Sequence, residues 1–207
     1  MGLKNALKQF QKLIHSRRSI RVFQKREVPC EKILKILEYG VWAPSAHNCQ
    51  PWRFIVILNK EVRDRLVEEM SILYEADMRK DGLQLEEIES RLSKSKLMLK
   101  ESPVLILACL DRKVLWRYND RSRDENEFIM GVQSVAASIQ NILLGAHAEG
   151  LGACWMCAPL FCKNIVRSVL KLSEDYEPQA FIILGYPAEN PTPPYRRSVN
   201  ELTVILD

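Results

Sequence analysis

The chain has 207 residues, with 30 Lys and Arg against 26 Asp and Glu for a formal net charge of +4, and 47% of it is hydrophobic. That balance fits a globular protein of one domain spanning 1–207 and argues against a fibrous or wholly disordered class. The mild, well-mixed positive charge favours an anionic small ligand over a nucleic-acid stripe, and the longest unbroken apolar run, Val104 to Leu110, is far short of the roughly 20 residues of a membrane span.

The N-terminal residues Met1 to Ala6 lack a signal-peptide core and a myristoylation signal. Four of the six cysteines, Cys30, Cys49, Cys109 and Cys162, have no close partner in sequence. Both features predict a reducing, cytoplasmic setting without a disulfide framework and without a membrane anchor.

Leu3, Leu7, Phe10, Leu13 and Ile14 keep helical spacing and predict a first amphipathic helix ending near Ser16. After Val28-Pro29, a second helix carries Ile33, Leu34, Ile36 and Leu37 and stops near Gly40. A polar loop, Ala43 to Trp52, leads into a strand over Arg53 to Leu58. Lys60 to about Lys100 is dense in charge and predicts two helices hinged near Asp81-Gly82, as a solvated flap or excursion. Pro103 opens a buried strand, Val104 to Leu110, and Asp111 to Asp124 reads as a charged loop. A long helix follows, apolar on several sides through Phe128, Val132, Val135, Ile139, Ile142, Leu143 and Ala146, with Gly150 as its stop. Strands around Ala153 to Met156 and Ala180 to Leu184 bracket a short helix from about Lys163 to Leu170. The tail is proline-rich up to Arg196-Arg197 and ends in the apolar run Leu202 to Leu206.

Two segments concentrate chemistry. In Ala-Pro-Ser-Ala-His-Asn-Cys-Gln-Pro-Trp, 43–52, Ser45 brings a hydroxyl while Asn48 and Gln50 each bring a donor and an acceptor, a mix that can grip the edge of a planar heterocycle. An ordinary helix-to-strand connector is the plainer alternative for that loop taken alone. Arg17-Arg18-Ser19-Ile20-Arg21 sets three guanidinium groups and a hydroxyl just past a helix end, and phosphate is their natural partner. A solvated basic turn would explain the pentapeptide by itself. Arg196, far along the chain, offers another phosphate contact.

Cys154-Trp155-Met156-Cys157 is a C-x-x-C, but strand alternation would point the two sulfurs to opposite faces, which disfavours a disulfide. Cys162, Cys49 and His47 lack the spacing of a metal site, so none is assigned. His15 and His147 fit ordinary helix positions, and His47 fits a structural or surface place. Trp42, Trp52 and Trp155 suit packing.

The arginine cluster, the ring-gripping loop and the strand Gly150-Leu151-Gly152-Ala153-Cys154-Trp155 together suggest a planar phosphorylated cofactor. No GxGxxG or Walker pattern is present to place it on a Rossmann or P-loop site. With Leu184-Gly185-Tyr186-Pro187, these segments resemble the nitroreductase-like FMN-dependent oxidoreductases, in that family's order and over nearly the whole chain.

The resemblance implies an α+β fold with a central, mainly antiparallel sheet flanked by helices, built as an intertwined homodimer with FMN at each subunit interface. It implies that Arg17, Arg18 and Ser19 hold the phosphate with Arg196, and that Arg21 lies near N1 and O2 of the ring, where negative charge gathers on reduction. Pro44, Ser45, Ala46 and Asn48 would line the ring with Gln50 close by, and the backbone of Met156, Cys157 and Ala158 would face N5. Cys157-Ala158 departs from the small or acidic residue with glycine that many relatives carry there.

The implied activity is hydride transfer from NAD(P)H through FMN to a small organic acceptor, with no side-chain acid, base or nucleophile required. The alternatives are a specialised flavin reductase or dehydrogenase of cofactor metabolism, including deazaflavin-linked ones, and a non-catalytic flavin- or nucleic-acid-binding dimer.

Overall fold

The computed structural model describes residues 2–206. In chain order its helices and strands are α1 (Leu3–Ser16), α2 (Cys30–Val41), β1 (Trp52–Ile57), α3 (Lys60–Lys80), α4 (Leu85–Glu101), β2 (Val104–Asp111), α5 (Arg121–Ala148), β3 (Gly152–Met156), α6 (Lys163–Leu170), β4 (Tyr176–Gly185) and α7 (Val199–Leu202). The strands form one antiparallel sheet in the order β1-β2-β4-β3, which gives the expected α+β class.

β2 is buried at every position because both faces of the sheet are covered. Val104, Ile106, Ala108 and Leu110 meet Ile33 and Ile36 of α2 and Ile139 and Ile142 of α5. Leu105, Leu107 and Cys109 point the other way, toward Leu66, Val67 and Met70 of α3 and Val166 of α6. A strand roofed on both sides needs apolar residues without alternation, which is the pattern of Val104 to Leu110. Burial pushes the thiols of Cys109 and Cys162 up to about 12 and about 11, so both are packing groups rather than nucleophiles.

α2 crosses close to α5 at Gly40, where a Cβ would stand 2.7 Å from Ile142. The Ser138 hydroxyl donates to the Gly40 carbonyl at 2.8 Å and fixes the same crossing. α5 is long and apolar enough to cross a membrane by length and composition. In this fold its apolar side is used against α2 and the sheet.

Four expectations need correction. The 60–100 segment is two helices, but α3 is no solvated flap: Leu66, Val67 and Met70 are buried on the sheet. Arg63 is buried with them, its guanidinium donating to the carbonyls of Ser102, Lys100 and Ile57. The apolar stripe of α3 is narrow, and the charges around it mask it in sequence.

α5 begins at Arg121, well before the apolar repeat, because the Asp120 side chain caps it by accepting from the Arg123 N–H; the rest of the expected loop holds a short 3-10 turn at Arg112–Val114. β4 begins at Tyr176 rather than Ala180. A bulge between Ala108 and Cys109 lets Pro178, which has no N–H to donate, sit within the strand. Trp42 is 80% exposed rather than packed, while Trp52 is buried.

Candidate active site

The chain leaves α1 in extended form and lies along β3. Ser19 bridges Ala153, Ile20 N–H donates to the Ala153 carbonyl at 3.0 Å, and Phe23 bridges Pro187. One oxygen of Glu189 accepts the N–H groups of both Arg21 and Val22, fixing the turn of the segment. The approach is possible only because residue 152 is glycine: a Cβ there would stand 2.6 Å from the Ile20 Cβ.

This packing sets Arg17 to Arg21 at the start of β3, beside the end of α5, where Ser16 Oγ and His147 Nε2 are 2.7 Å apart. Burial holds the Arg17 guanidinium below its ordinary range, and the neighbouring charges of Arg18 and Arg196 add to that. His147 is lowered by burial and then by Arg17 and Arg18. Burial raises the Cys154 thiol, against the pull of Arg21, Ser19 and Arg17. The field of each arginine therefore reaches this corner, and Arg17, Arg18, Arg21 and Arg196 make no ion pair among the described residues. Like charges that make no ion pair, next to Ser19 and with Glu189 held on the backbone N–H groups of Arg21 and Val22, form an anion cradle suited to a phosphate dianion.

The loop 43–52 is built differently. It follows α2, turns through a single 3-10 turn at Ala46–Asn48 and holds His47, Asn48 and Gln50 at φ of 53°, 51° and 46°. Three non-glycine residues in the left-handed region within four positions are costly, and such strain collects at sites of function.

Local bonds maintain it. Gln50 N–H donates to Ser45 Oγ at 3.0 Å, Asn48 N–H to the Ser45 carbonyl at 3.1 Å, and Ala46 N–H to Ser134 Oγ of α5 at 3.2 Å. The His47 ring stacks on Trp116 at 3.9 Å and lies 3.7 Å from Glu127, a carboxylate only 1% exposed. Pro44, Ser45, Ala46, Asn48 and Gln50 are thus gathered on one rigid loop. His47 has the structural place expected of it, through a partner that no local pattern announced.

β3 carries the chain from the arginines toward the remaining candidates. From Ala153, beside Ser19, to Cys157 is about 13 Å of strand. Met156 is half-buried, Cys157 is exposed, and Ala158 opens a 3-10 turn through Phe161. Cys154 is buried, Cys157 is exposed and both are free thiols.

Within one chain the two groups of candidates stay apart. The loop feeds β1 and the arginines flank β3, opposite edges of a four-stranded sheet and so about 14 Å apart across it. Along α5, the loop is tied to Ser134 and the arginine corner to His147, positions separated by about 20 Å of helix.

Glu127, Ser134 and Glu189 are structural partners that the sequence did not single out, and His147, expected as an ordinary helix residue, meets Ser16. Glu127 and Ser134 fall on the buried face of α5 with Gly131 and Ser138, so polar residues on an apolar stripe were their available signal. His147 and Glu189 had none.

An antiparallel four-stranded sheet between helical layers, with an anion cradle on one edge strand and a strained polar loop at the other edge, defines a cofactor-binding α+β protein. The Nitroreductase family model matches residues 14–186, and the chain belongs to that family.

A Methanothermobacter thermautotrophicus protein named "Putative NADH dehydrogenase/NAD(P)H nitroreductase" is 35% identical over 182 residues, covering 86% of this chain and 77% of its own length. A crystal structure from Desulfovibrio desulfuricans, described as a "putative nitroreductase in complex with FMN", superposes with TM-score 0.72 at 28% identity over 95% of this chain and 96% of its own. The BluB-like flavoprotein of Clostridium difficile 630 shares the fold, with TM-score 0.75 at 24% identity over 96% and 99% of the two chains.

Proposed function

We propose that this chain is an FMN-dependent NAD(P)H oxidoreductase of one domain, a nitroreductase-like flavoprotein acting in the cytoplasm as a homodimer. When bound, FMN would supply the redox chemistry, the two-step exchange of a hydride from NAD(P)H for reduction of an organic acceptor such as a nitroaromatic or a quinone. The carrying observation is the group of cations without ion pairs: Arg17 lies within the field of Arg18 and Arg196, and Ser19 next to it in the chain bridges the glycine-permitted edge of β3.

In this reading the arginines and Ser19 hold the phosphate, and Arg21 sits farther along toward the ring. The backbone of Met156, Cys157 and Ala158 lies where β3 delivers it, about 13 Å of strand beyond Ala153. Pro44, Ser45, Ala46, Asn48 and Gln50 grip the ring edge. The protein's part is binding, orientation and charge, and no side chain needs to act as acid, base or nucleophile.

Because the cradle and the loop of one copy lie at opposite sheet edges, we assign each flavin to the cradle of one copy and the loop of the other. Two further features support a second copy. The apolar side of α1, Leu3, Leu7, Phe10 and Ile14, is exposed, and so are Val204, Ile205 and Leu206 of the tail. A partner subunit would cover both.

The direct experiment is to purify the protein, identify the flavin that heat releases, and add NADH or NADPH without oxygen. The expected result is a yellow protein that releases FMN, loses colour with a nicotinamide donor and recovers it with a quinone or nitroaromatic. A protein that fails to bind added FMN contradicts the proposal. Bleaching by a reduced deazaflavin alone would move the assignment to the specialised reductases.

A further inference from the structure

A second cleft lies outside the arginine cradle, along the start of α5. It measures about 810 Å³, within the range of roughly 300–1,000 Å³ typical of small-molecule sites. Its walls include Trp116, Tyr118 and Phe128, with Arg112 and Arg117 among the cations that line it. It adjoins the 43–52 loop directly, since Trp116 stacks on His47 at 3.9 Å with the rings 9° from parallel. More than half of Trp116 remains open.

The lining sets Arg112, Arg117 and Arg121 among Asp120, Asp124, Glu125 and Glu127, and their pairing is uneven. Asp120 is committed to the backbone and side chain of Arg123, Asp124 accepts from Tyr118 N–H at 2.8 Å, and Glu125 pairs with Arg121 at 2.6 Å. Glu127 is buried behind His47 and Trp116, and Asp175, which lies toward Arg117, pairs with Lys113 at 2.8 Å. Arg112 and Arg117 make no ion pair among the described residues, and the Arg112 guanidinium stands 5.5 Å over the Phe128 ring. Arg112 and Arg117 thus stand beside an aromatic wall without an ion pair, while Asp124 and the buried Glu127 are the acids of the lining that pair with no arginine.

Resting on the assignment of the 43–52 loop to the flavin ring, we propose that this cleft is the specificity pocket for the substrate that stacks beside the flavin, and that it selects a molecule combining a planar ring with an anionic group. The ring packs on the open part of Trp116, and Arg112 and Arg117 take the anion, to which guanidinium forks are matched. The anion is the phosphate of a nicotinamide donor or the carboxylate of an aromatic acceptor. Both carry the same recognition chemistry, and they meet the flavin in different half-reactions.

Stopped-flow kinetics on the FMN-loaded protein separate the sources. In one arm NADPH is compared with the uncharged donor 1-benzyl-1,4-dihydronicotinamide, and in the other 4-nitrobenzoate is compared with 4-nitrobenzamide. The double variant Arg112→Ala/Arg117→Ala is expected to lose about tenfold in kcat/KM for the anionic member of one pair while its neutral partner changes less than about threefold.

Trp116→Ala should slow both members of that pair, and Arg121→Ala, whose arginine is already paired with Glu125, serves as the control. Isothermal titration with 4-aminobenzoate gives a readout independent of turnover, and its affinity should fall in the double variant. The pair that responds identifies the source of the anion. If the anionic-to-neutral ratio stays within about twofold of wild type in both arms and 4-aminobenzoate binding is unchanged, the proposal is overturned. A protein that does not bind FMN would instead overturn the function on which it rests.

Discussion

The C-terminal end of α5 and its middle position the proposed ligand-binding groups by opposite means. At the His147 end, Arg17 to Arg21 are positioned by sheet-like pairing to β3 and by the absence of a side chain at Gly152. The cost there is electrostatic, since several guanidinium groups share a corner and make no ion pair among the described residues. At Ser134 the cost is conformational, in the left-handed backbone of His47, Asn48 and Gln50. In the proposed reading the first region awaits an anion and the second holds a shaped edge. Neither completes a flavin site, which is why the pairing of one copy's cradle with another's loop is the central claim.

The largest effect should come from filling the close approach. Gly152→Ala places a Cβ against Ile20 and should cost about 1–3 kcal/mol of stability, read by urea unfolding. It should also abolish measurable FMN binding because the cradle moves as a unit; a variant with wild-type affinity would show that pairing to β3 does not position the arginines.

Next come the cradle's own groups. Arg17→Ala should weaken FMN binding by about 10- to 100-fold, and Ser19→Ala by less, with unfolding midpoints unchanged. Unchanged affinity in flavin-fluorescence titrations would place the phosphate elsewhere.

The loop should respond in the reverse sense. Gln50→Gly relieves a left-handed residue and should raise stability by up to about 1 kcal/mol, yet weaken FMN binding several-fold. A loop whose stability falls on this change is not strained as described.

The smallest effect concerns His147. Burial and the charges of Arg17 and Arg18 depress its imidazole, so the folded state takes up a proton less readily than the unfolded chain. Its contribution is fully present above the ordinary value of about 6.5 and is lost as pH falls through the folded value. His147→Gln should therefore flatten the decline of the flavin-free protein's Tm with acidification in that window. An unaltered slope would separate His147 from the cradle.

The sequence made contiguous chemistry legible. Arg17 to Arg21 and Ala43 to Trp52 each carry their functional groups in an unbroken run, so residue type and order sufficed to single them out. The unbroken apolar stretch of β2 likewise announced a strand covered on both faces.

What escaped depends on distant partners. Ser16 meets His147 across 131 positions, and His47 meets Glu127 from a different element. The role of α3 was hidden for a related reason, because its buried stripe is narrow and even includes Arg63, whose terminal nitrogens donate to carbonyls that the fold brings to them. Trp42 failed in the other direction, since a large aromatic on one chain's surface says nothing by itself about burial within that chain.

The most direct test of the central claim is flavin stoichiometry in a mixed dimer. One chain carries Arg17→Ala with Ser19→Ala, the other carries Ser45→Ala with Asn48→Ala, and the two are co-expressed with different tags and purified through both. If each flavin is held by the cradle of one copy and the loop of the other, the mixed dimer has one intact site and binds one FMN with wild-type affinity, while each variant alone binds weakly. If cradle and loop of the same chain hold the flavin, every site in the mixed dimer is defective and no tight FMN is found.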